Sequence, residues 1–572
     1  MTPARLLPTL YSVGVGAAVA ILAPLLPTLV GAGPGYLLYR DAVSTPRAHV
    51  TDTTLGIGDL PPRAVPQDWF VAMASSILDG GIVVVAVLFA ALVFAGVGYG
   101  RLAARLVPGA GRSGASAAAL VAVWNPYVAE RLLQGHWSLF AGYAALGWIL
   151  VAAHDLRKQA EVPRLLRLGG LLAAAGLTPT GSVLAGAVLA VALIGRPIGV
   201  RATVIAALLW VASTLPWVVT ALISGATTTT GPAGVEAFGL RSEPWLGPVG
   251  TVLSLGGIWN ADAVPASRTI WWAAVATLCL LVVVAVGAVH LWRHRSSLDP
   301  LVRAIGILTV VVAILLVLSV FGPGRRLLEI TVELVPGAGL FRDTQKFSAL
   351  LVPGVAVTVA GAVAAARRRV PSGFALAGVV LLVVAPLPDL AWGVGGSVRA
   401  VGYPSDWAAV AEIVPAGQGS VALWPTDTVR HYAFSEDVSL DPAARMLRAP
   451  VVESGELTVD GEVIDAPSTH AAEVASVLES GGSPAELATL GVGWVLVENH
   501  STPPLLADRA RLVHDGDDLR LYRVAGATDR SAGDFDRMVA IAAHLAWAAL
   551  LMAGLVAGPA AAIGRVPRRR SR

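Results

Sequence analysis

Long apolar runs constrain this chain more than any other feature of its sequence. They lie at 10–31, 82–100, 114–130, 137–154, 168–178, 181–195, 202–223, 270–292, 301–321, 347–366, 372–391 and 537–560. A run of about 20 apolar residues matches the hydrocarbon thickness of a bilayer. Inside lipid every backbone N–H and C=O must find a partner within its own segment, which leaves the α-helix as the fold for each run. The fifth and sixth runs are short and are interrupted by Thr178-Pro179-Thr180-Gly181. Composition agrees: only 14% of residues are charged and mean hydropathy is +0.70, against roughly a quarter charged in a soluble domain. The sequence therefore predicts a polytopic α-helical membrane protein of about 12 transmembrane helices. The first run is longer than a signal-peptide core and reads as an uncleaved span.

Basic residues orient the spans. Arg101, Arg105 and Arg112 fall on one side, and counting crossings brings Arg157, Lys158, Arg164, Arg167, Arg196, Arg201, Arg293, Arg295 and Arg367 to Arg369 to the same side. The tail adds Arg565, Arg568, Arg569, Arg570 and Arg572. The positive-inside rule makes that side cytoplasmic, with both termini there and the protein in the cytoplasmic (inner) membrane. Everything long then lies outside: loops at 32–81, 224–269 and 322–346, and a block at 392–536. Residues 1–391 form the transmembrane module with those three loops, and 537–572 the last span with its basic tail.

The net charge of +3 and pI near 9.2 are accounted for by this orientation pattern, so nucleic acid is not an expected partner. The single cysteine, Cys279, excludes an intrachain disulfide and a cysteine-built zinc site. Histidines and carboxylates show no ligand spacing, so no cofactor is expected and a divalent cation is unsupported. Only Lys158 and Lys346 are lysines among 41 basic residues, which with the Ala, Gly and Val load resembles a GC-rich bacterial genome. Gly109-Ala110-Gly111-Arg112-Ser113-Gly114 fits GxGxxG without a preceding strand, and Asn499-His500-Ser501 is a sequon of the kind that recurs by chance.

The 392–536 block reads as a small extracytoplasmic α/β domain. Strand patterns occur at Ser420 to Trp424, Trp494 to Glu498, Arg511 to His514 and Leu519 to Val524. Helical patterns cover Thr469 to Glu479 and Pro484 to Leu490, and Asp515-Gly516-Asp517 marks a hairpin turn.

Candidate chemistry gathers on the outer side. Asp41 stands where the first span leaves the bilayer, where partial burial would raise a carboxyl pKa toward that of a general base; alternatively, Arg40-Asp41 is an interfacial charge pair. Beyond it, Gln67 to Leu78, opened by Pro66, reads as an interfacial helix with Trp69, Phe70, Met73 and Ile77 on one apolar face and Asp68 in its first turn. Arg342 and Lys346, four apart, would point together at an anion such as a phosphate, or form a solvated turn touching head groups. Glu130, Arg131 and His136 lie between spans three and four, either as a functional cluster or with Glu130–Arg131 as a structural pair. The 224–269 loop adds Glu236, Arg241, Glu243, Trp245, Trp259, Asn260, Asp262 and Arg268, suited to sugar stacking or to interfacial anchoring.

This layout resembles the GT-C membrane glycosyltransferases that use polyprenyl-phosphate-linked sugars. The shared features are a long first outer loop with an interfacial helix, an acidic residue at the end of span one, and a long loop after span seven. Asn125-Pro126-Tyr127 through Gln134-Gly135-His136-Trp137, Phe341-Arg342-Asp343-Thr344-Gln345-Lys346-Phe347, and Leu490-Gly491-Val492-Gly493-Trp494-Val495-Leu496-Val497 resemble stretches of actinobacterial members. Those members include arabinofuranosyltransferase-like and mannosyltransferase-like enzymes. A single Asp at the membrane edge departs from the paired acidic motif of metal-using variants.

The resemblance implies an inverting transfer of a sugar from a polyprenyl-phosphate donor to an envelope glycan, glycolipid or protein acceptor. Asp41 would be the base, and Arg342, Lys346 and Arg131 would hold the donor phosphate. His136, Glu130, Trp259 and Asp68 would contact substrate, with membrane lipids as further partners. Two other readings stay open: a multi-span transporter or flippase, and a noncatalytic envelope-assembly protein that binds glycan through its outer domain.

Overall fold

The computed structural model describes residues 3–157, 161–195, 199–224, 231–459, 461–465, 468–499, 510–528 and 530–563. Lys158, Arg196, the sequon's His500 and Ser501, and the basic tail from Arg565 lie outside them. All twelve apolar runs are helical. Among the described residues eight helices are long and apolar enough to cross a bilayer, and a ninth candidate is Ser372–Val384 followed by Pro388–Gly395, bent by 78°.

The remaining runs form helices shorter than a bilayer requires: Gly111–Val123, Val162–Ala175 and Pro179–Gly195. Local chemistry ends the first of them. Asn125 precedes a proline and is driven extended (φ −157°, ψ 162°), and its side chain then caps a new helix, Pro126–Leu133. By length and composition, then, eight or nine helices among the described residues are candidates for full crossings, where about 12 were expected.

Burial sorts the helices. At least two-thirds of the apolar windows in Gly80–Leu106, Leu139–Leu156 and Thr344–Ala366 are buried, against 22–28% for Val200–Ile223, Trp272–Arg293, Pro300–Val320 and Asp534–Ala557. The first three form the centre of the bundle, and the others keep wide apolar faces outward, as lipid-facing helices do. Gly170 and Gly554 meet backbone to backbone, bringing Val162–Ala175 against the last helix.

A small α/β region near the C-terminus is built on a five-stranded sheet. Its order is Arg511–Asp515, Leu519–Arg523, Val492–Glu498, Ser420–Trp424, Val451–Val452. Ser420–Trp424 runs parallel to both of its neighbours, and Leu519–Arg523 runs antiparallel to both of its own. Val492–Glu498 is buried along its whole length, which fits its unbroken apolar run. Ser468 caps Thr469–Ser480, and a Ser483/Glu486 capping box opens Pro484–Thr489.

The first long loop is part of this region's core. Leu38 and Val43 pack with Trp407, Val421 and Leu496, and Tyr36 pairs with Val401. Helix Gln67–Ala74 is shorter than the expected 67–78, and its apolar face does not all meet lipid. Trp69 is buried against His544 and Trp547, while Met73, Ile77 and Leu78 stay exposed. A helix absent from the sequence reading, Gly322–Leu334, occupies the third loop.

Candidate functional site

Two strands, Leu38–Tyr39 and Ala42–Val43, form a hairpin whose two-residue turn is Arg40-Asp41. Such turns need positive φ, and Arg40 adopts φ 44°. A non-glycine residue held there must be tied down. The Arg40 guanidinium donates to the carbonyls of Leu133 (2.6 Å) and Asp262 (3.0 Å), and Tyr39 Oη donates to the carbonyl of Leu132 (2.9 Å). The hairpin is thereby docked on the end of Pro126–Leu133, and its tip delivers Asp41 to the turn that follows.

There the Asp41 Oδ2 lies 2.9 Å from His136 Nε2 and accepts from Gln134 Nε2 at 3.2 Å. The Asp41 side chain remains 40% exposed, and Lys346 is close enough to act on its charge. Burial pushes the Asp41 carboxyl up, but the His136 and Gln134 hydrogen bonds and Lys346 outweigh it and leave the pKa below the ordinary value. The expectation of a raised pKa is corrected: hydrogen bonds to the charged form win over desolvation. His136 is held below its ordinary pKa by burial and by Lys346, against the pull of Asp41.

Behind this pair lies a fully buried network. Arg131 makes a two-pronged ion pair with Asp343 (2.7 and 2.8 Å), donates from Nε to Gln345 Oε1 (2.7 Å), and contacts His136 Nδ1 at 3.1 Å. Asp343 also faces Lys346 at 3.4 Å. Burial raises the Asp343 carboxyl, yet Arg131 and Lys346 hold it far below the usual range. Glu130 accepts from the backbone N–H groups of Gly257 and Ile258 and from Gln345 Nε2. Beside it, Glu243 and Arg268 pair at 2.7 Å, both essentially inaccessible.

The expected site residues therefore separate into three groups. Asp41, His136 and Lys346 come together at an accessible surface. Glu130 and Arg131 are completely buried and engaged by protein groups, although not with each other, so neither presents itself to a substrate or to a donor phosphate. Arg342 and Lys346 do not share a helical turn: Thr344–Leu351 is a 3₁₀ helix, whose three-residue repeat sets Lys346 beside Asp343.

Arg342 instead forks onto Asp465 at 2.9 Å on both prongs and lies 4.1 Å over the Phe238 ring. Arg63 joins the same carboxylate at 3.1 Å and feels the charges of both Arg342 and Asp41. Trp259 stands edge-on to Phe238, and its neighbour Asn260 donates to Gln134. Asp68 is elsewhere, paired with Arg445 at 3.2 Å beneath the α/β region.

Gln134, Asp343, Gln345, Arg63 and Asp465 were missed as site residues. A local signal existed for Asp343, three residues before Lys346. None existed for Arg63 and Asp465, which are 402 positions apart. Among the described residues no three His, Cys, Asp or Glu side chains converge as metal ligands do. Clefts of about 560 and 680 Å³ flank helix Thr469–Ser480 in the α/β region and do not include Asp41.

Comparison with known proteins finds no matching family model, curated protein or solved structure. What the fold defines is a polytopic helical membrane protein that carries a small α/β region near its C-terminus.

Proposed function

We propose that the protein transfers a sugar from a polyprenyl-phosphate donor to an envelope glycan, glycolipid or protein at the outer face of the cytoplasmic membrane. The observation that carries this reading is Asp41: an accessible carboxylate at a hairpin tip, beside His136 and Lys346. Both hydrogen bonds to Asp41 fall on Oδ2, so Oδ1 is the atom to receive an acceptor hydroxyl. In the step, that hydroxyl loses its proton to Asp41 as its oxygen bonds to the anomeric carbon. The bond from that carbon to the phosphate oxygen breaks, and polyprenyl phosphate departs with inversion at the sugar. Lys346, with Arg342 and Arg63 beyond it, supplies positive charge for the leaving phosphate. An ionised, hydrogen-bonded Asp41 is ready to accept a proton at neutral pH.

The bent Ser372–Gly395 helix pair favours a second reading, a transporter, because broken helices recur at transporter sites. One experiment separates the two. The gene is deleted, the envelope glycolipids are compared by mass spectrometry, and wild-type or D41N protein is returned. The transferase reading expects a missing sugar residue that wild type restores and D41N does not, with transfer in membranes reduced about 10²- to 10⁴-fold. Full restoration by well-folded D41N would remove Asp41 from the mechanism. A lipid-linked sugar that accumulates unused on the cytoplasmic side would favour transport.

A further inference from the structure

We infer that Arg131 is a positioning residue: it locks His136 into one neutral tautomer, so that a fixed N–H is aimed at Asp41. The inference rests on the transfer reading only for the use to which Asp41 is put. Arg131 is fully buried, and nothing about its surroundings admits a ligand. A guanidinium has five N–H donors and no acceptor. Its 3.1 Å contact with His136 Nδ1 is therefore a donation, and Nδ1 must keep its lone pair. The ring's only proton is then on Nε2, 2.9 Å from Asp41 Oδ2.

Arg131 cannot turn away from this task. The Asp343 fork and Gln345 Oε1 hold its other N–H groups, and it lies 5.8 Å from the Tyr127 ring centre. The chain Asp343, Arg131, His136, Asp41 thus alternates acceptor and donor without a free rotor. The charged groups facing His136 are Asp41, Arg131 and Lys346, with Asp343 behind Arg131. To protonate Nδ1, the ring would have to break its bond with Arg131 and face a guanidinium as a second cation. The one proton of neutral His136 is held on Nε2 toward Asp41, so the ring is no acid for a leaving phosphate, and its work is to orient Asp41 Oδ2 and leave Oδ1 for the substrate.

The test reads the tautomer directly. Full-length protein is labelled with ¹⁵N-histidine, placed in lipid nanodiscs and titrated by solid-state NMR. H136N identifies the signal of His136 among the 10 histidines. The expected spectrum shows a single Nε2-protonated neutral ring at pH 8 that persists at pH 6. In R131Q/D343N, which removes the ion pair without leaving a lone buried charge, the signal should become a tautomer mixture whose midpoint climbs toward about 6.5.

K346M takes away the other neighbouring cation but leaves the Nδ1 contact, and should keep the single tautomer. An imidazolium at pH 6 in the wild type would overturn the inference even if the double variant does not fold. An unchanged tautomer in folded R131Q/D343N would also overturn it, as would loss of the tautomer in K346M. If D41N transfers sugar normally, the transfer reading fails by itself, and the tautomer result still stands or falls separately.

Discussion

Gly135 lies against the backbone nitrogen of Ala42 with no room for a Cβ between them, and it does so at φ +86°. The close approach seats the Arg40-Asp41 hairpin on the turn that carries Gln134 and His136. Gly135→Ala should therefore push the hairpin off this turn. Backbone strain in this region costs roughly 1–3 kcal/mol, so unfolding in detergent should shift modestly. Transfer should fall much further than stability. Equal activity at wild-type stability would show that the docked hairpin is not needed.

The Asp41 carboxyl has its pKa lowered, because His136, Gln134 and Lys346 outweigh burial. A group whose folded pKa is depressed contributes stability above its unfolded pKa and loses it as pH falls through the folded one. The base form of Asp41 should therefore persist throughout the neutral range, and transfer rates should be flat from about pH 5 to 7 on its account. K346M should move any acid limb upward. A limb near pH 6 in wild type that disappears in D41N would contradict this assignment.

Asp465 takes both prongs of Arg342 and one N–H group of Arg63. If those guanidinia receive the donor phosphate, D465N should release them. Binding of a short-chain polyprenyl phosphate in nanodiscs should tighten by about threefold to tenfold, the equivalent of roughly one hydrogen bond's net strength. Unchanged or weaker binding would place both arginines in a purely structural bridge.

Glu243 and Arg268 are paired with essentially no exposure, beside Glu130. Arg268→Ala leaves two carboxylates facing each other in a dry site and should destabilise the fold by about 3–5 kcal/mol. Arg325→Ala, at an exposed pair with Glu236, should change stability by less than about 1 kcal/mol. Detergent unfolding of the two variants, side by side, measures the difference. Similar values would mean that water reaches the Glu243–Arg268 pair.

Much of the fold was legible because it depends on local pattern. Apolar length marks a helix wherever lipid or core surrounds it, and all twelve runs are helical. Alternation and turn residues located Ser420–Trp424, and Arg511–Asp515 and Leu519–Arg523 around Asp515-Gly516-Asp517. Span number was less legible. Asn125-Pro126 and Thr178-Pro179 break runs into helices too short to cross alone, and only packing decides how such pieces lie.

The site itself divides in the same way. Asp41, His136 and Lys346 could be nominated from sequence, since a polar residue beside an apolar run needs a partner or a task. Their partners could not. Spacing by four would join Arg342 to Lys346, whereas a 3₁₀ turn set Lys346 beside Asp343, and the strand pair Leu457–Val459 and Glu462–Asp465 of the α/β region brought Asp465 to Arg342. Hydrophobic length acts along the chain and is written in order. Charge pairing acts through space, and here it was decided by which buried groups the packed helices, the first loop and the α/β region carried to the same point.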